Sequence, residues 1–169
     1  MDSTDSRYDR AIFAAGCFWD VEAAFRHIPG VIETVAGYTG GSVPDPSYDQ
    51  VDCGETDHVF AVGVVFDPTI ISYQELLERF FRIHDPAQEG GQGDYTGSQY
   101  RSCIFVLTGE QKDLALTIRE QLNASEPFRN RPVLTEILPA GQFWPAEESH
   151  QQFYEKCGQS YGASRQIYE

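Results

Sequence analysis

Lysine is nearly absent from this sequence. Lys112 and Lys156 are the only two, and the basic residues number 12 against 26 acidic ones, a formal charge of −14. A phosphate backbone or an anionic lipid surface needs a basic face, so the expectation is no nucleic acid and no membrane as partner. No apolar run approaches the ~20 residues of a membrane span. Met1-Asp2-Ser3-Thr4-Asp5 has no basic segment leading into an apolar one, which argues against a secretory leader and for a cytoplasmic protein. Paired cysteines are missing too. Cys17, Cys53, Cys103 and Cys157 lie far apart with no C-x-x-C, so neither a zinc ribbon nor a thioredoxin-type centre is expected. In a reducing compartment they read as free thiols. His27, His58, His84 and His150 lack metal-ligand spacing, and Gly90-Gly91-Gln92-Gly93 lacks the lysine of a phosphate-binding loop. No metal and no cofactor are expected.

What is present is the composition of a globular chain: 169 residues, 41% hydrophobic and 13% aromatic. That length suits a single domain spanning 1–169, with a core over 10–154 and loose tails at 1–9 and 158–169. Arg10–Ala15 reads as a buried strand, and Phe18, Val21, Phe25 and Ile28 follow at helical spacing until Pro29-Gly30. Val31–Tyr38 alternates as a strand, and residues 39–57 are rich in breakers and read as a long loop. His58–Phe66 is a third strand. Ser72 with Glu75 forms a capping box before a helix that ends near His84. A second glycine-rich loop, 87–98, precedes a strand at Tyr100–Leu107, a helix capped by Thr108, a strand at Val133–Leu138 and a last helix from Pro145 to Lys156. The order β-α-β-β-α-β followed by α-β-α predicts a ferredoxin-like two-layer α/β sandwich, its mixed sheet covered by helices on one face.

The chemistry centres on Ala14-Ala15-Gly16-Cys17-Phe18-Trp19-Asp20. Cys17 falls where a strand ends and a helix begins, and free N–H groups with the helix dipole there favour a thiolate. Phe18 and Trp19 supply an apolar wall. In a sandwich of this kind the loops 39–57 and 87–98 gather at the same sheet edge, bringing Tyr38, Tyr48, Asp49, Asp52, Cys53, Glu55, Asp57, His58, Asp94, Tyr95 and Tyr100 into range. Phenols such as Tyr48 and Tyr100 can donate to an oxygen that gains charge without themselves ionising. A sulfur left oxidised needs a second thiol to restore it, and Cys157 and Cys53 are both placed for that; Cys103, inside a strand, reads as structural. Cys17 with His58 imitates a Cys–His hydrolase, but no orienting partner is legible.

Several segments in sequence carry a resemblance. Gly16-Cys17-Phe18-Trp19, Gly37-Tyr38-Thr39-Gly40-Gly41, Asp45-Pro46-Ser47-Tyr48, Thr56-x-His58, His84-Asp85-Pro86, Gln99-Tyr100-Arg101-Ser102, Thr135-Glu136-Ile137 and Ala146-Glu147-Glu148-Ser149-His150-Gln151 resemble, in order, the peptide methionine sulfoxide reductase A family. The resemblance implies that Cys17 attacks the sulfur of methionine S-sulfoxide, free or in proteins, releasing methionine and leaving a sulfenic acid. It implies that Phe18 and Trp19 hold the S-methyl group and that Tyr48 and Tyr100 bond the oxygen. It also implies that a second cysteine (Cys157, with Cys53 as the alternative) closes a disulfide for thioredoxin to reduce. The chain departs from the family at three places. Phe60 stands where the family has a proton-donating glutamate, Tyr95 where it has an aspartate, and Asp20 where it has a glycine. Asp20, Asp94 and Tyr95, or Tyr48 with Tyr100, are the stand-ins at hand. The departures also leave room for other thiol chemistry on the same fold, or for a non-catalytic binder of oxidised methionine. A monomer is expected.

Overall fold

A computed structural model describes residues 6–158; the terminal stretches expected to be loose fall largely outside the described residues. Strand β1 (Asp9–Ala15) enters the sheet one residue earlier than the sequence suggests. It is followed by α1 (Phe18–Arg26) and β2 (Val31–Thr39), and then by β3 (Val59–Phe66), buried along its whole length. Helix α3 (Tyr73–Arg82) starts on the Ser72–Glu75 capping box, as read. Ahead of β3 the supposed loop holds a short helix, α2 (Tyr48–Asp52), with its own capping box between Ser47 and Gln50. The second loop folds into a small hairpin, β4 (Gly91–Gln92) with β5 (Tyr95–Thr96). Tyr100 closes a single 3₁₀ turn (Ser98–Tyr100), so strand β6 begins only at Ser102 and runs to Val106. Helix α4 (Gly109–Asn123) is capped by the Thr108 hydroxyl, which accepts from the Gln111 N–H.

The sheet order is β7-β6-β1-β3-β2-β8, with β7 (Glu136–Pro139) parallel to β6 and β8 (Phe143–Pro145) antiparallel to β2. Its four inner strands, β6-β1-β3-β2, are all antiparallel, the ferredoxin-like arrangement. The helices lie on one face: Ala11, Phe13 and Ala15 of β1 pack in one cluster with Phe18, Phe25, Leu76, Leu77, Phe80, Ala115 and Ile118. Ile12 and Ala14 turn to a smaller cluster with Val59, Ala61, Cys103 and Phe105 on the other face. This split follows from the period-two alternation of a strand. No helix among the described residues is long and apolar enough to cross a membrane.

The expected helix from Pro145 to Lys156 is overturned. Pro145 pairs with Gly37 at the end of β8, and the Ala146 N–H donates to the Ala36 carbonyl, prolonging the run along β2. Gln151 then fastens the chain to β2, accepting from the Ala36 N–H and donating to its carbonyl at 2.8 and 2.9 Å. Only a 3₁₀ turn (Glu148–His150) and a one-turn helix, α5 (Phe153–Lys156), remain. Sheet pairing on the open edge of β2 wins over the helix-start signal of proline and acids. The extension past the sandwich is therefore α-β-β-α rather than α-β-α.

Candidate active site

Cys17 is the N-cap of α1. Its backbone is extended, and its carbonyl accepts from the Asp20 and Val21 N–H groups at 3.1 and 3.2 Å. Gly16 turns the chain out of β1 at φ +98°, and a Cβ there would lie 2.9 Å from the Cβ of Gln92, so only glycine lets the hairpin close over this corner. The sulfur lies in a nearly enclosed setting, with Cys17 8% exposed. Burial, and then the negative charge of Asp20, push the Cys17 thiol up to about 12, against the lowering pull of the Trp19 and Asp20 N–H groups and a hydrogen bond from the Tyr95 hydroxyl. The helix-start donors expected from sequence are thus present, but desolvation outweighs them. At rest Cys17 is a thiol, not a thiolate.

A packed aromatic cluster lies beside Cys17. Phe18, 1% exposed, packs on Phe60, Tyr38 and Tyr48 with ring centroids at 4.8, 5.7 and 6.0 Å. Phe60 projects from β3 opposite Tyr38 of β2, and its ring also meets Tyr100 at 5.2 Å and Tyr48 at 5.4 Å. Trp19 stands on the outer side. Its indole N–H donates to His150 Nδ1 at 3.1 Å, and its ring stacks on Phe153 at 3.8 Å and faces Tyr48 at 6.0 Å. His150 in turn lies flat on Tyr48 at 4.2 Å.

The phenols are each held in place. The Tyr48 N–H, at the head of α2, donates to Glu147 Oε2 at 3.0 Å, while burial and Asp52 push its hydroxyl up to about 12. Tyr38 donates to Glu147 Oε1 at 2.7 Å. Tyr100 donates to Asp52 Oδ1 at 3.0 Å, and its pKa is raised by burial and by that bond. Tyr95 leans on Tyr100 with centroids 5.1 Å apart. Beneath this cluster His84, fully enclosed, donates from Nδ1 to the Phe80 carbonyl and accepts at Nε2 from Ser102; burial pushes it down to about 4, so it stays neutral and ties the end of α3 to β6.

The structure therefore brings together Cys17, Phe18, Trp19, Tyr48, Phe60, Tyr95 and Tyr100. Asp20, half-buried beside the thiol, accepts from the Tyr154 hydroxyl. Asp94 occupies the exposed turn of the hairpin, and its neighbour Tyr95 is the residue that reaches the sulfur. His58 is committed elsewhere: Nδ1 accepts from the Gly41 N–H at 3.0 Å and Nε2 donates to the Val43 carbonyl at 2.7 Å. That leaves no ring nitrogen for Cys17, and the hydrolase imitation fails. All four cysteines are free thiols. Cys53 and Cys157 are exposed at the ends of α2 and α5, and Cys103 is buried in β6. Sequence reasoning missed Glu147, His150 and Phe153, which brace the cluster from the last segment. Glu147 and His150 lie in Ala146–Gln151, whose acids read as a helix start, and Phe153 follows it with no signal of its own.

A deep-set thiol, an apolar wall and a set of phenol donors suit a small neutral group that carries a methyl on one side and an electron-rich oxygen on the other. Comparison with known proteins agrees. The profile of the peptide methionine sulfoxide reductase family matches residues 9–168. A peptide methionine sulfoxide reductase MsrA of Methanosarcina mazei is 51% identical over 150 residues, covering 89% of this chain and 71% of its own length. Among solved structures, Mxr1 of Saccharomyces cerevisiae in reduced form superposes with a TM-score of 0.88 at 30% identity, over 99% of this chain and 96% of that one. The same yeast protein in complex with Trx2 shares the fold with a TM-score of 0.64 at 21% identity, over 90% of this chain and 89% of that one.

Proposed function

The chain belongs to the peptide methionine sulfoxide reductase family, and we propose that Cys17 is the nucleophile of its reaction, the reduction of methionine S-sulfoxide, free or in proteins. One observation carries this reading. Cys17, at the head of α1, is buried beside a packed cluster of Phe18, Phe60, Tyr48, Tyr95 and Tyr100, with the Tyr95 hydroxyl bonded to its sulfur. Phe18 and Trp19 grip the S-methyl group. Tyr48 and Tyr100 turn their hydroxyls to the oxygen, Tyr100 releasing Asp52 to do so. The thiol plus the sulfoxide gives the thioether plus a Cys17 sulfenic acid, so oxygen and two electrons change places with no outside reactant. Cys157 then attacks the sulfenic sulfur, expelling water and leaving a disulfide, and a dithiol such as thioredoxin reduces it. The exposed position of Cys157 at the end of α5 supports this choice; Cys53 is the other exposed thiol. A thiol that must stay reduced between turnovers fits a cytoplasmic setting.

The test is a single turnover. The reduced protein mixed with a small excess of methionine S-sulfoxide should release about one methionine per chain before any reductant is added, and Cys17→Ser should release none. Saturable binding without product would replace this reading with that of a binder of oxidised methionine.

A further inference from the structure

A sulfoxide oxygen leaving its sulfur gains charge and needs a proton. The carboxyl groups near Cys17 are poor sources. Burial raises the pKa of Glu147, but the Tyr48 N–H and the Tyr38 hydroxyl outweigh it and hold the carboxyl below its ordinary range. Asp52 accepts from Tyr100, Asp20 accepts from Tyr154, and Phe60 has no proton to give. The side chain that brings a proton to the sulfur itself is Tyr95. We infer that Tyr95 is a catalytic residue of the reduction: its phenol passes a proton to the sulfoxide oxygen as Cys17 attacks, and takes the Cys17 thiol proton in return. This rests on the reading of Cys17 as the nucleophile.

The position of that phenol is set by backbone rather than by chance of a loose loop. Gln92, 5% exposed, packs over Gly16 and bonds both main-chain groups of Asp85 at 3.0 and 2.8 Å, pinning the hairpin to the end of α3. Gly91, at φ +150°, passes so close to the Tyr95 carbonyl that a Cβ would sit 2.0 Å from it. The Tyr95 ring, 43% exposed, rests on Tyr100 with centroids 5.1 Å apart, and its hydroxyl bonds the Cys17 sulfur. A substrate oxygen between Tyr95 and Tyr100 lies within reach of both phenols.

The step balances within the site. The Cys17 S–H bond breaks and its proton goes to the Tyr95 oxygen, while the Tyr95 O–H proton goes to the sulfoxide oxygen. The bond from that oxygen to the methionine sulfur breaks and one to the Cys17 sulfur forms. Cys17 loses two electrons, the methionine sulfur gains two, and the phenol is regenerated. A resting thiol is then an asset, since the nucleophile carries in the proton that the oxygen needs.

Tyr95→Phe keeps the ring and the hairpin and removes the hydroxyl. Its single-turnover rate should fall by about 10²-fold, the lower end of general acid catalysis, and the solvent deuterium isotope effect on that step should shrink. Replacing Tyr95 by fluorinated tyrosines of graded acidity, which leave the packing intact, should move the rate in step with phenol acidity. A Tyr95→Phe rate within threefold of the parent, or rates indifferent to fluorination, would overturn the inference while leaving Cys17 as nucleophile. No methionine from the parent protein would overturn both.

Discussion

The two sides of the Cys17 site are made of the same kind of side chain but are held by different means. On the helix side, Phe18 and Trp19 follow Cys17 directly in the chain, and α1 fixes their directions. On the sheet and hairpin side, Phe60, Tyr95 and Tyr100 arrive from β3, β5 and the 3₁₀ turn, each held by its own tertiary contacts. On the proposed reading the helix side grips an apolar methyl, which any tight aromatic wall can do. On the same reading the other side handles a proton, and there this chain has two aromatics, Phe60 and Tyr95, where the family resemblance implies carboxyl groups. If those roles are right, sulfur binding and proton delivery are separable parts of one site.

The largest effect that separates them is a rescue. In a Tyr95→Phe background, Phe60→Glu sets a carboxyl among Phe18, Tyr48 and Tyr100, where burial keeps it protonated and able to donate. Single-turnover reduction should rise by about 10²-fold over Tyr95→Phe alone, and by much less when the same change is made in the parent. Equal gains in both backgrounds would mean that Tyr95 and the restored acid do unrelated work.

A smaller effect reads the thiol itself. In a chain whose other cysteines are serine, alkylation of Cys17 by iodoacetamide should rise about tenfold per pH unit through pH 10, since only the thiolate reacts and its pKa is raised to about 12. A plateau near neutral pH would show the helix start winning over burial. The same shift has a sign for stability. The unfolded chain releases this proton near 9.0 and the folded one near about 12, so the stability it confers is complete below 9.0 and lost as pH climbs between the two.

Much of this architecture is legible in the sequence where the cause is local. The Ser72–Glu75 cap, the Thr108 cap and the corner at Gly16-Cys17 are short-range signals, and the structure keeps them. Ser47-x-x-Gln50 is the same signal inside the stretch read as a loop, and α2 grows from it. What sequence does not carry is the outcome of competition across the fold. Pro145 and the acids after it favour a helix locally, but the edge of β2 recruits them as strand. Cys17 sits at a helix start whose N–H groups favour ionisation, and the tertiary burial of its sulfur, with the nearby charge of Asp20, keeps it a thiol. The pairing of Tyr100 with Asp52 and the bracing of Trp19 by His150 and Phe153 likewise join residues that no spacing rule links.

A Cys17 nucleophile should itself take the oxygen from the sulfoxide. Methionine S-sulfoxide labelled with heavy oxygen, mixed with a chain in which Cys53 and Cys157 are serine, tests it by mass spectrometry of the Cys17 peptide. One labelled oxygen should appear on Cys17 for each methionine released. Methionine released with no label on Cys17, or label on another cysteine, would contradict it.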